Sequence, residues 1–318
     1  MPIATPVLIT GASGFVGANL LRRLVNNGLE KKTNIILRKN SDPWRIKDVL
    51  KKAPTHIVDL RNEEATRALL KKIKPKTIFH LATHGAYPRQ QFEEKEIMET
   101  NITCAFNLMN SAARTGVKSF INTGTSSEYG INKMAMREQD RLSPVTAYGA
   151  SKAWATLYGN YLANDKKFPV TTLRLFGVYG YYEPRGRLIP NIILSFLENS
   201  RPKLTNPKFI RDFVFIEDVV DAYIMAAERN IAGSILNVGS GRKTSLQEVF
   251  TVIKEIMNSD VRPILEKSKT GIPDINRRVA DVQLAKKTLK WKPKTNLRDG
   301  LRKTVNWFKD NLDLYEHH

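Results

Sequence analysis

Tyr148 and Lys152 stand four residues apart in Tyr148-Gly149-Ala150-Ser151-Lys152, the spacing that brings two side chains onto one face of a helix. A phenol with an ordinary pKa of about 10 is a poor proton carrier at neutral pH. An adjacent ammonium favours its anion, so the pair reads as an acid/base group with its electrostatic support. Taken alone, the same pair is also what a solvated helix face carries. A second motif upstream gives it meaning.

That motif is Gly11-Ala12-Ser13-Gly14-Phe15-Val16-Gly17, placed directly after the apolar run Val7-Leu8-Ile9-Thr10 and before a helical pattern. Strand, glycine turn and helix form the context in which such a fingerprint binds a dinucleotide. Gly11 suits the tight turn, Gly14 lets backbone amides approach a pyrophosphate, and Gly17 lets helix and strand pack closely. Ser13, Phe15 and Val16 complete the cradle at the positive end of the helix. An NAD site usually has a carboxylate about 20 residues on, at the end of the second strand. Here that place reads Leu37-Arg38-Lys39-Asn40-Ser41. Arg38 and Ser41, with Lys39, are therefore read as holders of a 2′-phosphate, and NADP(H) is expected over NAD(H); the alternative is an Arg38 that stacks on adenine or faces solvent.

The elements that position these groups follow from the apolar pattern. Short apolar runs at 7–10, 34–37, 56–58, 77–81, 119–123 and 170–175 alternate with helical patterns at 14–27, 63–72, 97–114 and 147–163. That alternation predicts an α/β protein with a Rossmann-type, doubly wound parallel sheet. Beyond residue 176 the chain becomes rich in Gly, Pro and Arg, with a helix near 189–198 and a strand near 213–216. The expected organisation is a dinucleotide-binding domain over 1–176, with returns near 213–238, and a smaller C-terminal substrate-binding lobe mainly over 177–318.

With 318 residues, 42% of them hydrophobic, the chain can bury a large core. Its single cysteine, Cys104, excludes an intramolecular disulfide framework. No apolar run reaches the roughly 18 residues of a membrane helix, and the N-terminus runs straight into the first strand, so the expected compartment is the cytoplasm. His317 and His318 are kept out of any metal argument, and no metal is expected. A net charge of +20 raises the question of nucleic acid. The lysines are dispersed, in pairs such as Lys31-Lys32 and Lys286-Lys287, without interleaved aromatics. A basic surface that attracts small anionic substrates is the preferred reading.

Further segments add to the glycine turn and the Tyr148/Lys152 pair: Asp59-Leu60, His80-Leu81-Ala82, Asn101, Gly124-Thr125-Ser126-Ser127-Glu128-Tyr129-Gly130, Leu173-Arg174-Leu175-Phe176, Arg211-Asp212-Phe213-Val214 and Asn237-Val238-Gly239. With them the chain resembles, almost end to end, the extended short-chain dehydrogenase/reductase family in its nucleotide-sugar epimerase, dehydratase and reductase branch. The resemblance implies Tyr148 as catalytic acid/base, Lys152 as the group that lowers its pKa and holds the nicotinamide ribose, and Thr125 as hydrogen-bond partner of the reacting sugar oxygen. It places Asp59 and Leu60 at adenine, Leu81 and Ala82 along the cofactor groove, and Thr123 near the nicotinamide. For the diphosphate of a nucleoside-diphosphate sugar it points to Arg211 and Arg277, with the adjacent Arg278 competing for the inward position. Ser126, Ser127, Phe176 and Arg187 are assigned to the substrate pocket, shaped also by His84, Tyr87 and the loop 181–188. The helical segments 97–114 and 147–163 commonly pair across a two-fold axis in this branch, which implies a homodimer.

The reaction is less determined. A dehydratase of this branch carries an acidic residue beside the catalytic Thr, because loss of water needs a base at one carbon and an acid at the leaving hydroxyl. Ser126 and Ser127 occupy those places and Glu128 falls one position late, so dehydration is disfavoured. The missing ribose carboxylate tilts the reading toward NADPH-dependent reduction of the C4 ketone of a nucleoside-diphosphate 4-keto-6-deoxysugar. A nucleotide-sugar epimerase is the alternative, and a non-catalytic dinucleotide- or RNA-binding protein is a third. Gly177 stands where many relatives carry an Asn that contacts the sugar diphosphate.

Overall fold

The computed structural model describes residues 2–86, 90, 93–229, 231–266 and 276–315; Tyr87, His317 and His318 lie outside the described residues. Apolar runs and helical patterns become β1 (Val7–Thr10), α1 (Phe15–Asn26), β2 (Thr33–Leu37), β3 (Thr55–Ile57), α2 (Glu63–Ile73), β4 (Thr77–His80), α3 (Glu94–Met98), α4 (Cys104–Ala112), β5 (Ser119–Thr125), α5 (Ala147–Lys166) and β6 (Val170–Leu175). β1, β4 and β6 are buried at every position, as strands must be when helices cover both faces of a parallel sheet.

The second half continues with β7 (Gly177–Tyr179), α6 (Leu188–Leu197), β8 (Lys203–Leu204), β9 (Ile210–Arg211), β10 (Phe213–Phe215), α7 (Ile216–Glu228), β11 (Ile235–Val238), β12 (Thr244–Ser245), α8 (Leu246–Ile256), β13 (Ile264–Leu265), β14 (Arg277–Arg278), α9 (Gln283–Leu289) and α10 (Leu297–Asp310). β11 returns to pair with β6 in parallel, and among the described residues this completes a seven-stranded sheet in the order β11-β6-β5-β4-β1-β2-β3. One face packs Ile9, Phe79, Ile121 and Leu173 under α1 and α7; the other packs Leu8, Ile78 and Phe120 under α4 and α5. Strand order reverses between β1 and β4, where diverging loops leave a crevice. The fold is thus Rossmann-type and doubly wound, with a smaller C-terminal lobe built on the short sheets β10-β7, β12-β9-β14 and β13-β8.

Helix ends follow local chemistry. Asn62 caps α2 by accepting from the Ala65 N–H, and Thr146 caps α5 by accepting from the Gly149 N–H at 3.0 Å. The single helix predicted over 97–114 is instead interrupted by a π-helical turn, Glu99–Thr103, between α3 and α4. The reason is tertiary. Asn101, inside that turn, accepts from the His84 N–H at 2.8 Å and donates to the His84 carbonyl and to Ser151 Oγ, each at 2.9 Å. Those bonds tie the loop after β4 to α5, and the extra residue aims the side chain at both. No described helix is long and apolar enough to cross a membrane.

Candidate active site

A cavity of about 890 Å³ opens over the C-terminal ends of β1, β4 and β5 and continues into the C-terminal lobe. Its floor begins at the glycine turn. Gly11 has φ +72°, and a Cβ there would lie 2.6 Å from the Ala82 nitrogen. A Cβ on Gly17 would lie 2.1 Å from the Gly11 carbonyl oxygen, so helix and turn meet at a distance only glycine allows. Gly14 is the N-cap of α1 and makes no side-chain cap bond, leaving first-turn amides for an anion. These features fit a dinucleotide pyrophosphate.

The cofactor-side residues singled out in the sequence line this cavity, except Lys39 and Lys152. At the adenosine end, Ser41 Oγ accepts from the Arg38 N–H at 2.9 Å, and the Arg38 side chain, 53% exposed, reaches Glu96 at 3.6 Å. Arg61, which the sequence reading passed over, also lines the cavity and grips Asp59 at 2.7 Å. The hydrogen bond from Arg61 holds the Asp59 carboxyl below its usual range. Arg45 is a second omission: it lines the cavity with its guanidinium 4.2 Å from the Trp44 ring centre, and it donates to the Tyr182 carbonyl at 2.9 Å. Only the acid two residues before Arg61 hinted at its place.

Tyr148, Thr125, Ser126 and Ser127 line the middle of the cavity. Tyr148 sits in the first turn of α5, and Lys152 lies one turn on, 2% exposed, behind the lining. Burial pulls the Lys152 ammonium down to about 8, against an upward pull from the charge of Glu128. The Thr125 N–H donates to Glu128 Oε1 at 2.8 Å, while Thr125 Oγ1 accepts from the Ser127 N–H at 3.2 Å. Glu128 itself is 0% exposed and accepts from Arg174 Nε at 2.7 Å. Thr123, beside this group, shares a 2.7 Å bond with the Tyr223 hydroxyl.

On the substrate side, β14 pairs with β9 so that Arg278 stands directly beside Arg211. Both line the cavity, and Arg277 does not. The inward arginine is therefore Arg278, a choice set by strand register that sequence alone left between neighbours. Its Nη1 lies 3.3 Å from Ser127 Oγ and its Nε is buried without a partner. Burial, then the like charge of Arg211, pull it down to about 10. Phe176 and Arg187 also line the cavity. The ring of His84 is engaged by Glu93 and does not reach the wall. At Gly177 a Cβ would lie 2.5 Å from the Asp212 carbonyl oxygen, which accepts the Gly177 N–H at 2.8 Å. Close pairing of β7 with β10 thus leaves no room for a side chain at 177.

Arg187 is held from behind by Glu183, 2.8 Å away and 2% exposed. Burial pushes the Glu183 carboxyl up to about 7, opposed by Arg187. As pH falls through that value Glu183 takes a proton, and Arg187 keeps its full charge for a ligand. KM for a nucleoside-diphosphate sugar is therefore expected to fall roughly three- to ten-fold from pH 8 to pH 6. Glu183→Gln should flatten that dependence. A pH-independent wild-type KM measured over this range would remove the link.

The profile of the NAD dependent epimerase/dehydratase family matches residues 7–239. The UDP-glucose 4-epimerase of Mycolicibacterium smegmatis is 28% identical over 321 residues, covering 95% of this chain and 98% of the relative. The UDP-glucuronate 4-epimerase of Thermodesulfobacterium geofontis is 26% identical over 325 residues, covering 96% and 97%. Among solved structures, the UDP-glucose 4-epimerase of Thermotoga maritima with UDP-glucose superposes with a TM-score of 0.88 at 28% identity, covering 96% of this chain and 99% of the other. The glycine cradle, the Tyr148/Lys152 pair and a profile match spanning most of the chain agree: this protein belongs to the NAD-dependent epimerase/dehydratase family, in the nucleotide-sugar branch of the extended short-chain dehydrogenases/reductases.

Proposed function

We propose that this protein is an NAD(P)-dependent nucleotide-sugar 4-epimerase. The observation that carries the reading is that, among the described residues, the reacting region offers one acid/base group and no carboxylate turned toward it. Asp42 and Asp59 line the cavity at its adenosine end. Asp212 is 1% exposed and occupied by the N–H groups of Ser240, Gly241 and Ala280. Glu128, the remaining candidate for a dehydratase acid, is sealed against Arg174. Inversion at C4 needs no second group: Tyr148 takes the proton of the C4 hydroxyl and returns it after the ring has presented its other face. Thr125 steadies the oxygen as its charge changes, and Lys152 favours the phenolate from behind. A nicotinamide dinucleotide held by the glycine cradle and by Lys152 would supply reversible hydride exchange at C4. Arg211 and Arg278 anchor the diphosphate, so the sugar can turn while the nucleotide stays fixed.

The curated relatives named above are 4-epimerases, which supports this reading over the keto-sugar reduction suggested by the missing ribose carboxylate. Reduction stays as the second reading on one observation, the pairing of Arg38 and Ser41 at the end of β2, which suits a 2′-phosphate. Protein purified without added cofactor and then denatured should release close to one NAD per chain, identified by mass spectrometry. It should also convert a UDP-hexose or UDP-uronate into its C4 epimer, read by NMR. Empty protein, or substoichiometric NADP(H), with no epimer formed, would favour the reductase.

A homodimer belongs to the same reading. Leu157 and Tyr161 on α5 and Phe106 on α4 are 57%, 50% and 42% exposed, and the ring centres of Phe106 and Tyr158 lie 5.5 Å apart. This apolar face joins two neighbouring helices. Light scattering should give twice the chain mass at micromolar concentration, and Leu157→Glu should give the monomer. A monomeric parent protein sinks the idea.

A further inference from the structure

Lysine pairs that lie far apart in the sequence meet in the fold. All seven strands of the main sheet run parallel. Each segment that leads into a strand therefore arrives at the same end of the sheet, opposite the end where the cavity opens. The approaches to β2 and β3 carry Lys31, Lys32, Lys51 and Lys52, each exposed. Those to β4, β5 and β6 carry Lys71, Lys72, Lys74, Lys118, Lys166 and Lys167, again exposed. Backbone bonds hold the approaches side by side. The Ile35 N–H donates to the Pro54 carbonyl at 2.9 Å, the Lys118 N–H to the Lys76 carbonyl at 2.8 Å, and the Phe120 N–H to the Pro169 carbonyl at 2.9 Å. With Lys76 and Arg114 included, segments 27–32, 50–54, 71–76, 113–118 and 164–169 gather twelve cations against two acids, Glu30 and Asp165, which is half of the chain's net charge of +20.

Among the described residues the lysines in ion pairs are Lys95, Lys203, Lys254, Lys294 and Lys303, none of them in these segments. None of the twelve cations lines the cavity either, so their charge serves neither cofactor nor sugar nucleotide by contact. We propose that this end of the sheet is a docking surface for an anionic lipid bilayer, on which the protein sits peripherally with its cavity facing away. Three observations favour that occupant over a nucleic acid. Eleven of the twelve cations are lysines. A lysine is a hydrated point charge suited to a diffuse field, whereas the planar fork of arginine is the better grip on single phosphates and bases. The one aromatic residue of the five segments, Phe168, is buried, which leaves no ring for a base to stack on. Finally, the charge comes from helix ends on both faces of the sheet, α1 on one and α2 and α5 on the other. It runs across strand ends about 4.8 Å apart, for roughly 25 Å from β3 to β6. The complement of so broad a face is a plane of charge; a nucleic-acid strand would be tracked by a groove.

The test does not depend on the sugar chemistry. The full chain is mixed with vesicles of phosphatidylcholine, alone or with about 40% phosphatidylglycerol, and binding is read by co-sedimentation at about 0.1 M salt. Affinity for the anionic vesicles should exceed that for the neutral ones by at least about 100-fold and collapse at about 0.5 M salt. Lys51→Glu, Lys72→Glu and Lys118→Glu together should lower it by roughly 30-fold or more, with melting temperature and dinucleotide binding little changed. The matched control is Lys286→Glu, Lys287→Glu and Lys290→Glu, three exposed lysines on and just after α9. The next residue, Trp291, donates to the Asp218 carbonyl in the first turn of α7, the end of that helix nearer the cavity. This triple changes the net charge equally and should stay within about three-fold of the parent protein. If the first triple does not fold, Lys→Gln at the same three positions carries the same expectation at smaller size. Equal losses in the two triples would mean net charge without a surface and would overturn the proposal. So would equal binding to neutral and anionic vesicles, or tighter binding to duplex DNA or single-stranded RNA than to the anionic vesicles at the same salt.

Discussion

Tyr148→Phe is expected to lower kcat by about 10²- to 10⁴-fold, the range a positioned acid/base group supplies. The ring would keep its place in the first turn of α5, where the Thr146 cap does not involve the phenol. Cofactor affinity should therefore stay within a few-fold of the parent protein. Lys152 would remain buried, with no phenolate left to stabilise. Steady-state turnover of the epimerised nucleotide sugar, set beside a fluorescence titration with NADH, separates the two effects. Near-native turnover in the variant would remove Tyr148 from the chemistry. Equal losses of turnover and of NADH binding would instead assign it to the cofactor pocket.

Arg278→Leu and Arg277→Leu should part company sharply. Arg278 is the member of the pair on the cavity wall, beside Arg211 and within reach of Ser127. Two cations side by side repel until an anion comes between them, so on the proposed reading a diphosphate gains from both, and loss of one leaves its charge half answered. The expected cost is about 2–4 kcal/mol, or roughly 30- to 1000-fold in affinity. Arg277, outside the lining, should change affinity by no more than a few-fold. Calorimetric titration with uridine or thymidine diphosphate reads this without any turnover. If Arg277→Leu were the damaging change, the register of β14 on β9 would be wrong.

What could be read from the sequence is what local chemistry specifies. β1 and β6 fall on the predicted 7–10 and 170–175, because central parallel strands are uninterrupted apolar runs. The glycine turn was legible for a similar reason: each glycine answers a contact within its own turn or with the next strand. Distant residues decide what the local pattern left open. The helix over 97–114 widens into a π turn because Asn101 finds partners at 84 and 151. The choice between Arg277 and Arg278 depends on β9, far earlier in the chain. Glu128, read as one position late for a dehydratase acid, is paired with Arg174 on another strand, a partner that Ser126-Ser127-Glu128 does not announce. His84 pairs with Glu93 and does not line the cavity.

The seventh strand has a consequence for synthesis. β6 ends at Leu175, yet β11, which covers its outer edge, ends at Val238 with α6 and α7 between them. At about 5–20 residues per second a ribosome needs on the order of several seconds to make that stretch. Throughout that interval the nascent sheet presents an open edge of unpaired N–H and carbonyl groups, the kind that recruits other strands. Growth in the presence of a chaperone that shields strand edges should therefore raise soluble yield more for chains stopped before Ile235 than for chains carried past Val238.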